Sequence, residues 1–273
     1  MVPLTDQQLT SYHKDGFLFS LPTLSKPEVD HYRGCFEALE SQSGGKMLVG
    51  AVSQCHLHFP WAYELATHPA ILDMVAQLIG PNLLIHSSRI YAKGPRDGRY
   101  ESWHQASFPW QLSEPRLVSA WIAITDSGPE NGCMRVIRGS HRRARWEHDY
   151  SAQSCRNIQP VGLVINEPLV ESDAVNLTLG SGQIALHHCH AVCGSNSNRS
   201  SQNHLGFNVC YVASDIKQKS PHHEVVLIRG KAPNCAYHLT PAPVEQDLAI
   251  CFRAQERFSR RLNTEPNGQE PAL

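Results

Sequence analysis

The run GQIALHHCHAVCGSNSNRSSQNHLG, residues 182–206, decides how this chain is read. Apolar residues from Ile184 open it as a strand, a Gly/Ser/Asn stretch breaks it, and Leu205 begins a second strand. Three histidines and two cysteines fall within seven residues, from His187 to Cys193. That density of imidazole and thiol raises a metal site as the first reading, provided the ligands fall where coordination needs them. Alternate side chains of a strand face opposite ways, so His188 and His190 share a face and His187 takes the other. His190 and Cys193, three apart, form a candidate pair.

Working outward, the apolar period is close to two on both sides of this run. Strands are expected at Leu83–Ala92, Leu117–Asp126, Met134–Ile137, Ile184–His188, Leu205–Val212 and Val225–Ile228, with Pro, Gly, Asn and Ser between them. Upstream the period is helical. Thr5 caps a helix that stops at Gly16, and Phe17 to Phe19 make a brief strand. Ser25-Lys26-Pro27-Glu28 is a capping box opening a helix to about Glu40. His68-Pro69 opens a third helix, closed by Gly80. Residues 140–175 form one long irregular insertion, and Pro243 to Leu262 reads as a C-terminal helix. The expected architecture is α+β, mainly β: one domain over 1–273, with a helical flank (1–80), strands rolled into a double-sheet or jelly-roll barrel (83–230) and a C-terminal helix (243–262).

Composition narrows the function classes. The chain has 273 residues, enough for one sizeable core, with 41% hydrophobic and 18% charged residues and a net charge of −1. No basic surplus supports a nucleic-acid or membrane surface. The polar start MVPLTDQQLTSYHKDG lacks the apolar segment of a signal peptide, and no run approaches a membrane span, so a cytoplasmic protein is expected. Nine cysteines without framework spacing read as reduced thiols. Of the sixteen histidines, His86, His141, His204 and His238 stand alone in the sequence.

Several ordered motifs carry a resemblance: Leu4-Thr5-Asp6-Gln7-Gln8 and Asp15-Gly16-Phe17 near the start; WHQ at 103–105; AWIAITD at 120–126; PENGCMRVIRGSH at 129–141; LHH at 186–188 with GSNSNRS at 194–200; LGFNVCYV at 205–212; and Leu227-Ile228-Arg229-Gly230. Across nearly its whole length the chain resembles the phytanoyl-CoA dioxygenase family of Fe(II)/2-oxoglutarate oxygenases. The resemblance implies a double-stranded β-helix (jelly-roll, cupin-like) with flanking helices, in agreement with the periodicity. It also implies an iron held by a His-x-Asp pair and a distal His, with an arginine on 2-oxoglutarate. His104 matches the first ligand. The aspartate position falls on Ala106, the distal histidine on Cys193 and the arginine on His204, so no metal is expected at this site and the family cofactors Fe(II) and 2-oxoglutarate are not expected to bind. Arg to His loses a permanent charge and a two-pronged donor. Lys93, Trp121 and Ser195 match positions that help seat 2-oxoglutarate in relatives, and Trp103, Phe108 and Trp110 supply an aromatic wall for a small, fairly apolar substrate.

Three functions follow as expectations. In the first, His104, Cys193 and His204 act as acid, base or hydrogen-bonding groups in a non-oxidative cyclisation, isomerisation or elimination, in secondary metabolism. In the second, the chain is an inactive subunit partnering an active relative of the same fold, or a homodimer. In the third, it is an oxygenase with unorthodox ligands, or a halogenase, since His104-Gln105-Ala106 looks like the iron halogenases that carry alanine at the aspartate position.

Overall fold

The Thr5 hydroxyl accepts from the Gln8 amide while the Gln8 side chain accepts from the Thr5 amide, and this reciprocal cap starts α1 (Asp6–Asp15). Gly16, at φ 88°, ends it in the left-handed region. The computed structural model describes residues 3–45, 51–107, 110, 112–149, 156–158, 164–219, 224–233 and 235–264. β1 (Phe17–Pro22) leads to α2 (Lys26–Gln42), which opens at the Ser25/Glu28 box. β2 (Ala51–Ser53), α3 (Pro60–Ala66) and α4 (Pro69–Ile79) complete the flank. α3 is missing from the sequence reading because seven residues are too few to display a helical period.

The strands follow: β3 (Leu83–Lys93), β4 (Glu101–Gln105), β5 (Leu117–Ala123), β6 (Met134–Ile137), β7 (His148–Asp149), β8 (Val164–Ile165), β9 (Ala174–Asn176), β10 (Gln183–His188), β11 (Val192–Ser195), β12 (His204–Ala213), β13 (Glu224–Arg229) and β14 (His238–Leu239). One large sheet runs β1-β10-β5-β12-β3-β13-β14 with β2 on β3, and a smaller one runs β4-β11-β6-β9. This is the double-stranded β-helix. The described part of residues 140–175 is less irregular than expected, because β7 and β8 pair with each other and β9 joins β6. The C-terminal helix α5 (Leu248–Thr264) starts five residues later than expected, where the Asp247 carboxylate accepts from the Ala249 and Ile250 amides.

The large sheet has two unlike faces, and that places the site. Its outer face, with Ile90, Ala92, Val118, Ala120, Ile122, Phe207, Val209 and Tyr211, packs with α2, α3 and α4 into the main apolar core. Register puts the alternate residues on the inner face: Arg89, Tyr91 and Lys93 of β3 lie opposite Asn208, Gly206 and His204 of β12, which lie near Trp121 and Ala123 of β5. A second apolar cluster fills part of the barrel, joining Trp121, Ala123 and Ala185 to Val136 and Cys193 of the small sheet.

Candidate active site

β4 and β11 lie side by side in the small sheet, and their register sets His104 opposite Cys193. Both are buried. The His104 Nδ1–H donates to the Ser102 carbonyl at 2.9 Å, which leaves Nε2 as the acceptor, 3.7 Å from the Cys193 sulfur. Burial pushes the imidazole pKa of His104 down and the thiol pKa of Cys193 up. Glu101 opposes the first shift and adds to the second. The pair therefore rests as a neutral imidazole facing a protonated thiol. Ala106 stands just beyond β4 in a turn and offers a methyl group where the resemblance expects a carboxylate.

At the other end of the site, Lys93 and His204 are register partners on β3 and β12. The buried Lys93 ammonium donates to the Ser195 hydroxyl and the Asn196 carbonyl, both at 2.6 Å, and to the Gly132 carbonyl at 3.4 Å. Ser195 in turn donates to the Glu101 carboxylate at 3.2 Å. Burial lowers the Lys93 pKa, and Glu101 and Asp97 oppose that shift. His204 meets the Ser127 hydroxyl at 2.9 Å, and burial, helped by the charge on Lys93, lowers its pKa to about 3. Trp121 lies 5.7 Å from His204 and 5.4 Å from Tyr91 between ring centroids. Its buried Nε1–H has no hydrogen-bond partner among the described residues. Gly206 is required here, because a Cβ at that position would stand 2.2 Å from the indole.

The remaining expected residues separate. Trp103 points away from the barrel interior: it packs near Ile137, Ile165 and Val192, under the Arg135 guanidinium at 5.0 Å. There it walls a cleft of about 600 Å³ that also takes in Glu101 and Ser195. Trp110 stands 4.3 Å from the His86 ring in an apolar cluster with Leu84, Leu117 and Tyr237, separate from the one that holds Cys193. Phe108 lies outside the described residues. The His190/Cys193 pair does not form. A turn at Cys189 and His190 carries the chain from the large sheet to β11 in the small one, so Cys193 meets His104 while His190 stays beside His188, 5.3 Å away. His187 does take the inner face, opposite Ser119, and its pKa is lowered to about 4, by burial and then by His104. Sequence reasoning missed Glu101, Ser127 and His187 as neighbours of the site. Glu101 alone had a local signal, three residues ahead of His104.

Comparison with known proteins places this geometry. The family model described as phytanoyl-CoA dioxygenase (PhyH) matches residues 12–204. The ectoine dioxygenase of Bordetella parapertussis is 25% identical over 221 residues, 71% of each chain. Among solved structures, the non-heme monooxygenase ThoJ in its apo form superposes with a TM-score of 0.77 at 25% identity, over 95% of this chain and 99% of ThoJ. SnoK, a non-heme alpha ketoglutarate dependent carbocyclase from nogalamycin biosynthesis, gives 0.65 at 25% identity, over 90% and 95%. The epimerase SnoN shares the fold at 18% identity with a TM-score of 0.65, over 89% and 96%, and was solved with Fe3+ and alpha ketoglutarate.

These findings overturn the expectation that the chain works without a cofactor. Its relatives are dioxygenases, SnoK depends on alpha ketoglutarate, and the same fold holds iron in SnoN. The side chains meet that background unevenly. Toward iron, His104 and Cys193 supply one imidazole and one thiol, and Ala106 supplies nothing, so they do not make a facial triad of two histidines and a carboxylate. Toward an organic carboxylate the site offers a buried cation and the unpartnered Trp121 N–H, while the Ser195 hydroxyl already donates to Glu101. No helix among the described residues is long and apolar enough to cross a membrane. From the sequence match over residues 12–204 and from the shared fold, the chain belongs to the phytanoyl-CoA dioxygenase family.

Proposed function

We propose that this chain is a small-molecule enzyme that moves protons on a fairly apolar organic substrate, in an isomerisation, cyclisation or elimination. The observation that carries this reading is the 3.7 Å contact between His104 Nε2 and Cys193 Sγ, at the place where the resemblance expects two ligands of one metal. His104, with its tautomer held by the Ser102 carbonyl, takes a proton from a substrate carbon at Nε2. The Cys193 S–H returns a proton to a second substrate atom. Transfer across the contact resets the pair, and the substrate keeps its electron count. Burial holds the imidazole unprotonated and the thiol protonated, so neither group is charged at rest.

The alpha ketoglutarate dependence of SnoK bears on the other end of the site. Lys93 and the Trp121 N–H would hold a carboxylate of that class, and such a ligand would bring an anion to an ammonium whose hydrogen-bond partners among the described residues are one hydroxyl and two carbonyls. The secondary-metabolite setting of SnoK supports a substrate of natural-product type.

The test is anaerobic turnover in deuterated buffer with candidate pathway substrates. Expected is product of unchanged oxidation level carrying solvent deuterium, lost in His104→Ala and in Cys193→Ala. Oxygen-dependent oxidation of the substrate with stoichiometric succinate release, or unchanged anaerobic turnover in His104→Ala and Cys193→Ala, would overturn the proposal.

A further inference from the structure

His188, Cys189 and His190 close the end of β10, with the His188 ring beside Tyr12 of α1 and Cys189 packed with Leu117 and Cys210. The donor atoms of the three all lie within 4.8 Å of one another. Two rings bound to one tetrahedral zinc, through nitrogens at about 2.0–2.1 Å, have centroids roughly 5 Å apart. His188 and His190 are 5.3 Å apart by that measure, and His141, from the short turn after β6, is 5.1 Å from His188. The Cys189 sulfur stands 4.0 Å from His188 Nδ1, close to the edge of a tetrahedron that holds both.

His141 adds an independent sign. Its Nε2–H donates to the His13 carbonyl at 3.1 Å, at the end of α1. Its buried Nδ1 has no hydrogen-bond partner among the described residues. One ring nitrogen tied to a backbone carbonyl and the other left with an open lone pair is the arrangement in which histidine ligates metals. Gly16 packs directly on that nitrogen, since a Cβ there would come within 2.4 Å of it, so only glycine leaves the ring in this place.

We propose that His188, Cys189 and His190, with His141 as fourth donor, form a zinc site at the end of β10. One thiolate with three imidazoles is a donor set of the borderline softness that zinc favours. Filling the site exchanges two contacts for metal bonds: the His190 amide on His188 Nδ1 at 3.1 Å, and the Cys189 S–H on the Pro115 carbonyl at 3.5 Å. The Cys189 proton leaves to solvent. The metal would then join the end of α1, through His141, to the turn that launches β11 and so positions Cys193.

The experiment uses the full chain carrying His104→Ala and Cys193→Ala, so that the barrel pair holds no metal, stripped with chelator and reloaded with Zn2+ or Co2+. Expected is one equivalent of zinc retained after desalting, and with cobalt a sulfur-to-metal charge-transfer band with tetrahedral d–d intensity. His188→Gln with His190→Gln should abolish retention, Cys189→Ser should remove the charge-transfer band, and His141→Gln should weaken zinc at least tenfold. Circular dichroism of the metal-free variants checks that each still folds. Absence of retained zinc in the parent, equal retention after the double glutamine change, or cobalt binding without the sulfur band would each overturn the proposal.

Discussion

Cys193 and His104 are register partners on β11 and β4, and their side chains meet inside the barrel with Sγ 3.7 Å from Nε2. The Glu101 carboxylate is the charge that acts on both groups in this resting form. Positioned general acids and bases contribute about 10²–10⁴-fold to rate. Cys193→Ser keeps the size and a hydroxyl but changes acidity and reach, and is expected to lower kcat by at least about 10²-fold with little change in KM. Steady-state kinetics on the anaerobic reaction decide it; a variant within twofold of wild type would remove Cys193 from the chemistry.

Acid should unfold this protein earlier than carboxylates alone would. His187 and His204 are buried, with pKa values lowered from 6.5 to about 4 and about 3. The folded state refuses protons that the unfolded chain accepts, so the stability is fully present above pH 6.5 and is lost as pH falls toward those folded values. Each site adds a slope of about 1.4 kcal/mol per pH unit within that window. Urea midpoints measured from pH 7 to pH 5 should fall steadily, and His204→Gln should flatten the fall. A midpoint independent of pH over that range would contradict the burial argument.

Gly206→Ala tests the close approach of Trp121. The added methyl would stand 2.2 Å from the indole, and the ring is packed between His204 and Tyr91 with little room to retreat. Overpacking of this kind costs about 1–3 kcal/mol. Chemical denaturation should show that loss, with a shifted tryptophan emission from the displaced ring. Unchanged stability and emission would mean that the indole moves freely.

Lys93→Met separates structure from ligand binding. The substitution leaves the Asn196 and Gly132 carbonyls without their shared donor, at a cost of about 1–3 kcal/mol. If the mouth of the barrel takes a carboxylate, calorimetric titration with 2-oxoglutarate should also weaken at least tenfold. Equal affinity in the two proteins would leave Lys93 as a brace for the Ser195–Asn196 backbone and no more.

Much of the frame was legible because its signals are local. The Thr5 cap, the Ser25/Glu28 box, Gly16 and the long apolar strands each declare themselves within a few residues. β4 and β11 do not. Glu101–Gln105 is polar and aromatic, and Val192–Ser195 is four residues with a glycine, so neither shows alternation of apolar and polar side chains. Those two strands carry His104 and Cys193, and thus the least readable strands hold the candidate chemistry. Trp103 and Trp110 went astray for a related reason. Aromatic content says that a residue packs, while the face of its strand decides against what.

The sequence by itself determined the family, the order of the elements and which residue types occupy the site: Ala106, Cys193 and His204 are facts of composition at a position. Tertiary structure alone decided the partnerships. It turned His190 away from Cys193, set Cys193 against His104, gave His204 to Ser127 and Trp121, and brought His141, solitary in the sequence, to the His188–His190 turn. The physical reason is that a strand's side chains alternate by rule, whereas which strand lies beside it, and in what register, is settled by burial of the two sheets against each other across the whole barrel.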